Sequence, residues 1–570
     1  MQMKKLRYIL PTAIIAVAAL VSCQDMMRTD SDSYLFEENN KLDQAPDSMY
    51  SAIGILTQIQ TVGERYVLFG ELRGDLVTVP ETAPYSMQEI SNFNVTADNE
   101  YLSLRDYYSI INNCNYAIAH MDTSITIHSS KVMMPEYAAI KTMRAWTYLQ
   151  MGLAFGKVKY FTEPILTVDK SIENIPYIGF DELIAKLAAE IEPIMKVNMP
   201  QYGSVDGYDS KQFFIQPQLL LADLALYKNQ YETAAMLYYD YIDRNDLTMS
   251  ISYANVWQSA SRDNVSEGNV MAYNNEVISR IPYASDAKMY HPNMVNLTYN
   301  TMPSVMPAQW FVSEMNTKPH YYNQYITSPT QLGAIFEGDI RGHAVLANNK
   351  GEVTSAFGEF RPTPTSTQFL ITKFFNNGSE NSGVTNPNNE MFADGTVPRL
   401  TRSIATYRTP SVYLRYAEAI NRAGKPTLAF AVLKYGLKQS TINDSIAVDQ
   451  SEMEDKVAWT NFNNSKYDDN WGTGMRGCGY GLYSTKSEYL IPSLAARQDT
   501  ICWVEEEILK EMSAETCFEG NRFFDLLRVS RHNVNPNAFF AEKVSRRFDN
   551  PEAMKAKLAN SEAWWIKAPK

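Results

Sequence analysis

Cysteine and histidine are scarce in this chain, five and six among 570 residues. No histidine stands three or four positions from another and no CxxC occurs, which excludes a helical histidine pair or a cysteine knuckle as a metal site. GxSxG, HExxH and phosphate-loop motifs are missing too, and no cofactor is expected. The one GxGxxG match, Gly472 to Gly477, follows no strand pattern and opens no helix, so it reads as a flexible loop rather than a dinucleotide site. Charge is sparse at 20% and leans acidic, 51 Lys and Arg against 64 Asp and Glu for a net charge of -13. A nucleic-acid binder gathers cations on one face, and beyond its first residues this chain has no long basic run, so nucleic acid is not an expected partner. What is plentiful is apolar and aromatic surface: 45% hydrophobic residues, enough for a large core, and 36 Tyr, 24 Phe and 8 Trp. Tyrosine packs in a core or lies at a wet surface as a rigid platform, so its excess points toward binding.

The first residues carry the most specific signal. Lys4, Lys5 and Arg7 form a basic head, Ile9 to Val21 an apolar run, and Leu20-Val21-Ser22-Cys23 closes it. The run is shorter than the roughly 20 residues of a membrane helix and has the proportions of a secretory signal. Its ending resembles a bacterial lipoprotein signal box, in which the cysteine takes lipid and becomes the first residue. Residues 1–22 are therefore expected to be a signal peptide and 23–40 a lipidated Cys23 with a polar tether, since two or more acyl chains hold a protein on a membrane. Cys114, Cys478, Cys502 and Cys517 remain, and are read as buried free thiols with a disulfide as the alternative.

Self-comparison shows a recurring helical pattern. Ala222, Asn229, Ala234, Tyr238 and Tyr241 step by 7, 5, 4 and 3, and Ala417, Gly424, Ala429, Leu433 and Gly436 repeat those steps. Small residues let antiparallel helices approach, while Asn or Gly takes the left-handed turn between them. The pattern is of tetratricopeptide type. Ala139, Met143, Trp146, Leu149 and Leu153 mark a further helix ending at Gly156, and helices are also expected over Tyr101 to His120 and Phe180 to Ile194. Helical repeats are thus predicted over about 101–242 and 410–440, with a C-terminal helical region at 500–530. Between them 243–410 is a loop-rich insertion; residues 281–325 hold eight aromatics, five prolines and only four charges. Glu507, Glu511, Glu515 and Glu519 recur every four residues and read as a solvated helix face. Glu519, Arg522, Asp525 and Arg528 step by three and read as structural pairs along one helix, each worth about 0.2–0.5 kcal/mol.

Three blocks carry a family resemblance. Met143-Arg144-Ala145-Trp146-Thr147-Tyr148-Leu149 through Phe155-Gly156-Lys157-Val158 and Thr162-Glu163-Pro164, then Leu414-Arg415-Tyr416-Ala417-Glu418-Ala419, then Phe518-Glu519-Gly520-Asn521-Arg522-Phe523-Phe524-Asp525-Leu526-Leu527-Arg528, resemble the SusD/RagB family of Bacteroidetes outer-membrane nutrient-binding lipoproteins. Asn521 and Phe523 stand where that family usually has His and Trp. The resemblance implies one mainly α domain over 41–570, with tetratricopeptide-like hairpins as scaffold and the insertion carrying the ligand face. It also implies a non-catalytic protein on the outer face of the outer membrane that captures a glycan and passes it to a SusC-like TonB-dependent transporter. Peptide capture is the alternative within the family, and a glycoside hydrolase the rival class, because that chemistry needs only two suitably spaced carboxylates.

A sugar site pairs aromatic platforms with amide, carboxylate or guanidinium groups at its rim. Two regions supply them: Arg73 and Asp75 with Tyr85, Asn92, Phe93 and Asn94, and Tyr290, Asn293, Trp310, Tyr321 and Tyr322. In the resembling family these regions tend to line the ligand face. Trp310 is the leading candidate, because Pro303 and Pro307 point to an irregular surface loop. At the other end of the chain, Cys23→Ser is expected to release the protein from membranes or leave it unprocessed. Unchanged fractionation together with no incorporated palmitate label contradicts that anchor.

Overall fold

The computed structural model describes nearly all of residues 42–250, most of 276–374, and 401–478 and 485–567. Cys23, the signal segment and the tether lie outside the described residues. The architecture is mainly α, and every sheet among the described residues has only two strands.

The predicted helices form a continuous stack. Arg105–His120 packs on Met134–Phe155, which packs on Phe180–Ile191 and through it on Pro217–Tyr227. Pro217–Tyr227 and Tyr231–Arg244 form the first hairpin, which lies against the second, Thr409–Arg422 and Pro426–Lys434. Ala222, Ala234, Ala417 and Ala429 are fully buried, as close helix approach requires. Asn229 and Gly424 take the left-handed turns, at φ 60° and 86°. Asp181 sits in the first turn of its helix, where a carboxylate suits the dipole.

The insertion leaves and returns at one place. Val277–Pro282 pairs antiparallel with Ser403–Arg408, Val277 opposite Arg408 and Pro282 opposite Ser403. Between these ends the described residues hold three short hairpins and the helices Met294–Thr298 and Gln309–Thr317. Val77–Thr78 pairs with Met306–Pro307, tying the insertion back to the N-terminal region. Among the cysteines, Cys114, Cys478 and Cys517 are buried, whereas Cys502 is exposed, contrary to expectation.

The largest departure from the sequence reading concerns the glutamate stripe. Glu511, Glu515 and Glu519 are 1%, 0% and 2% exposed, and Glu507 is buried as well. The helix Arg497–Glu515 turns its acids inward because the insertion brings cations to them. Glu511 pairs with Arg341 and, at 3.4 Å, with Lys318, and accepts from the Tyr321 hydroxyl at 2.7 Å. Glu515 lies 3.0 Å from Arg341, 3.1 Å from Arg476 and 3.5 Å from Arg408. Glu519 is held by Arg408 at 2.5 Å and Lys373 at 2.8 Å. Glu276 joins Arg408 and Arg476, and Asp339 joins Arg341 and Lys318. Among the described residues five acids thus face five bases.

The last block departs in the same way. Only Asp525 and Arg528 pair along their own helix, at 2.8 Å. Arg522 reaches Asp75 at 2.6 Å, and Arg528 reaches Glu418 at 2.7 Å. The Gly472–Gly477 segment is no flexible loop either: Thr473–Gly477 is a buried turn of 3-10 helix carrying Arg476 into the cluster. A Cβ on Gly474 would sit 2.5 Å from the Tyr321 hydroxyl.

Removing one partner from a buried cluster strands the others, at a cost of about 3–5 kcal/mol. Glu511→Ala is therefore expected to lower the urea-unfolding free energy by about that amount; a loss under about 1 kcal/mol contradicts the account. Burial alone would raise the Asp339 carboxyl, but Arg341 and Lys318 beside it bring it down from 3.8 to about 2. Its contribution is present above the unfolded value and lost as pH falls from about 4 towards 2.

Candidate functional site

Sequence reasoning proposed ten ligand-binding residues, and the structure divides them. Arg73 is 1% exposed and donates to the carbonyl oxygens of Phe69, Leu153, Ala154 and Trp564, with its guanidinium 3.8 Å from the Phe523 ring centroid. Asp75 is fully buried between Arg522 and Arg546. Burial would raise its carboxyl, but the two guanidiniums hold it well below the usual carboxylate range. Tyr321 is 1% exposed and donates to Glu511. These three belong to the scaffold, because partners remote in sequence bury them.

Trp310 is also corrected. It lies on the helix Gln309–Thr317, not on an irregular loop, and is half-buried. The Arg546 guanidinium covers its ring at 3.2 Å from the centroid, and its Nε1 donates to the Asp75 carbonyl at 2.6 Å. The prolines that suggested a loop stand just before the helix, with Pro307 in the strand pair. Tyr322 opens the strand Tyr322–Ser328 opposite Glu337.

Tyr85, Asn92, Phe93, Tyr290 and Asn293 retain surface. Tyr85 is 70% exposed at the start of the helix Tyr85–Ser91, and Tyr290 is 49% exposed. The Asn293 amide N–H donates to Glu64 at 2.7 Å, tying the insertion to the helix Gly63–Glu71. The same carboxylate acts electrostatically on Tyr101 and Tyr290. Burial raises Glu64 above the ordinary value, with the Asn293 bond and Arg65 opposing. Ser86 donates to Glu100 at 2.6 Å, which brings the Tyr85 turn toward Tyr101. Glu64 thus joins Tyr101, Tyr290 and Asn293, and Ser86, next to Tyr85, bonds Glu100 beside Tyr101. Sequence reasoning missed Glu64, Glu100 and Tyr101, since acids and tyrosines are frequent throughout.

Asn92 and Phe93 lead into a different feature. Phe93, at φ 53°, and Asn94 line a cleft of about 300 Å³ whose other wall is the C-terminal segment with Lys557, Asn560, Trp565 and Lys567. Lys557 donates to the Asn92 carbonyl at 2.9 Å. The adjacent pair Trp564 and Trp565 was the available sequence signal for this wall. Among the described residues no group of His, Cys, Asp and Glu is arranged to hold a metal ion.

A family model for the SusD family matches residues 256–567. The chain belongs to that family. Among solved structures it is similar to a SusD superfamily protein from Bacteroides vulgatus, with TM-score 0.59, 13% identity and coverage of 92% of this chain and 96% of that one. It is also similar to surface glycan-binding protein A from Bacteroides uniformis, with TM-score 0.55, 15% identity and the same 92% and 96% coverage. A putative sugar binding protein from Bacteroides vulgatus matches at TM-score 0.52 and 15% identity, covering 86% of this chain and 88% of that one. At these identities the likeness is one of fold. No curated protein matches. No helix among the described residues is long and apolar enough to cross a membrane.

One buried carboxyl next to Gly520 gives a pH test. Glu71 is 3% exposed; one oxygen accepts from the Gly520 amide at 2.8 Å and the other has no partner among the described residues. Burial pushes it up to about 8, against the smaller pull of that bond and of Arg522. The folded chain keeps this proton where the unfolded chain loses it, so the contribution is full below about pH 4.5 and is lost as pH rises to about 8. Glu71→Gln is expected to raise stability at pH 8 by on the order of 1–3 kcal/mol, with the gain fading toward pH 4.5. Denaturation curves at both pH values check it, and a variant no more stable at pH 8 contradicts it.

Proposed function

We propose that this protein is a non-catalytic, cell-surface glycan-binding lipoprotein. In this reading it is anchored by acylated Cys23 to the outer face of the outer membrane and hands its ligand to a SusC-like TonB-dependent transporter. The observation that carries the reading is the exposure of Tyr85 and Tyr290 in a chain of the SusD family, Tyr290 beside Glu64 and Asn293 and Tyr85 next to the Ser86–Glu100 bond. A ring left half or more in water beside amides and carboxylates has the chemistry of a sugar platform, with apolar C–H faces on the ring and hydroxyls on the rim. Relatives of the same fold carrying the names surface glycan-binding protein A and putative sugar binding protein agree with it. The handover follows from physics: a protein held only by lipid cannot move cargo through a bilayer, so the ligand must pass to a partner that spans it.

Each stacked ring adds roughly 0.5–1.5 kcal/mol beyond area burial, and rim hydrogen bonds to wet hydroxyls add about as much each. An open face of this kind is expected to bind with dissociation constants from about micromolar to millimolar. A glycan array beside a peptide pull-down finds the ligand class, and a peptide with no glycan hit moves the reading to peptide capture. Calorimetry with the best glycan is then expected to show Tyr85→Ala and Tyr290→Ala each weakening binding roughly two- to tenfold. Unchanged affinity in both removes the site from this face. Sustained release of reducing ends, lost in Glu64→Gln, replaces the binding reading with hydrolysis.

A further inference from the structure

The C-terminal cleft differs from the tyrosine face in its charge. Arg73, Lys557 and Lys567 line it against the single acid Glu562, in a chain whose net charge is -13. Arg73 lies at its base with four bonds to carbonyl oxygens and the rings of Phe69 and Phe523 around it. No carboxylate forms an ion pair with it among the described residues. Arg547, next to it in the fold, is likewise bonded to the carbonyls of Leu72, Gly74 and Ser91. The nearby carboxylate, Asp75, is already held between Arg522 and Arg546. A buried guanidinium matched by carbonyl dipoles and ring faces but by no carboxylate among the described residues leaves positive potential in the cleft, where a low dielectric preserves it. Burial lowers Arg73 to about 9, so it stays cationic at neutral pH.

The walls complete a site. Lys557 has three donors and gives one to the Asn92 carbonyl. Asn560 accepts the Glu562 amide through Oδ1, which leaves its NH2 for a ligand. Phe93 and Trp565 are half-buried and provide ring surface. At about 300 Å³ the volume is at the small end of ligand pockets, which suits one sugar unit.

We propose that this cleft binds an acidic sugar, a unit bearing a carboxylate or sulfate, with Lys557 and Lys567 on the anion and Phe93 and Trp565 against the ring. The sugar half rests on the glycan reading above; the anion half rests on the uncompensated cations alone. The mature chain is titrated, by ligand-observed NMR or calorimetry, with glucuronate, N-acetylglucosamine 6-sulfate and glucose. At least one acidic sugar is expected to bind at least about tenfold more tightly than glucose, and which one binds separates carboxylate from sulfate. Binding weakens as salt rises from about 50 to 300 mM. Arg73 is packed in the core, so the variant chosen is the surface double substitution Lys557→Gln/Lys567→Gln, with a thermal melt to verify the fold. It is expected to weaken the acidic sugar roughly three- to tenfold. Neither acidic sugar binding at millimolar concentration, glucose binding as tightly, or a folded double variant with unchanged affinity each overturns the proposal. Neutral-glycan binding through Tyr85 and Tyr290 is read in its own titration, so either reading can fail without the other.

Discussion

The carboxylates and cations buried together, five of each among the described residues, are the constraint on which the rest of this structure depends. Glu511, Glu515 and Glu519 come from the C-terminal helical region, Asp339, Arg341, Lys318 and Lys373 from the insertion, Glu276 and Arg408 from its paired ends, and Arg476 from the Thr473–Gly477 turn. A lone buried charge is too costly to tolerate, so each segment requires the others in place. That requirement, together with the apolar packing of insertion residues such as Phe311, Val312 and Leu370 in the shared core, fixes a long insertion to a helical stack without a large sheet among the described residues. Arg408 shows it most directly: it ends a strand, opens the Thr409–Arg422 helix and bonds Glu276, Glu515 and Glu519 at once.

The same cluster explains what could be read in the sequence and what could not. The helices were legible because their signals are local: small residues at 7, 5, 4 and 3 steps and turn formers at Asn229 and Gly424. The glutamate stripe was misread because a four-residue acid period looks the same on a wet face and on a face turned to cations. What separates the two is Arg341, Arg408 and Arg476, remote in sequence from the stripe. Arg73, Asp75 and Trp310 failed for the same reason. Their partners Arg522, Arg546 and Trp564 stand more than two hundred residues away, and a polar residue near an aromatic resembles a site until its partner is known. Tyr85, Asn92, Phe93, Tyr290 and Asn293 keep surface, although Phe93 packs on Phe523 and Asn293 bonds Glu64.

The residues withdrawn from the surface still bear on it. From the Arg522 guanidinium the contacts run to Asp75, from Asp75 to Arg546, and from Arg546 onto the Trp310 ring, whose Nε1 returns to the Asp75 backbone. This closed circuit holds residue 75 against the insertion just before the strand Val77–Thr78 pairs with Met306–Pro307. The turn bearing Tyr85 and the stretch bearing Tyr290 flank that pairing in sequence, so buried charge sets the frame from which the exposed rings project. Little ordering is then left to happen on binding, which favours affinity in a shallow site.

The close approach of Gly70 and Gly520 carries this argument to its end. A Cβ on Gly70 would lie 1.8 Å from the Gly520 carbonyl oxygen, and Gly520 itself has φ 88° beside Phe518 at φ 65°. Left-handed backbone on both sides of Glu519 aims that carboxylate at Arg408 and Lys373, while the Gly520 amide faces Glu71. Two residues further on, Arg522 reaches Asp75, so one short turn serves the buried cluster on one side and the ligand-bearing N-terminal region on the other. The Phe-Glu-Gly-Asn-Arg order is therefore a geometric device: an aromatic in the core, an acid for the cluster, a glycine for the approach and an arginine for the frame. That turn joins the scaffold to both candidate binding surfaces, since Phe523, directly after Arg522, is the ring on which Arg73 rests at the base of the cleft.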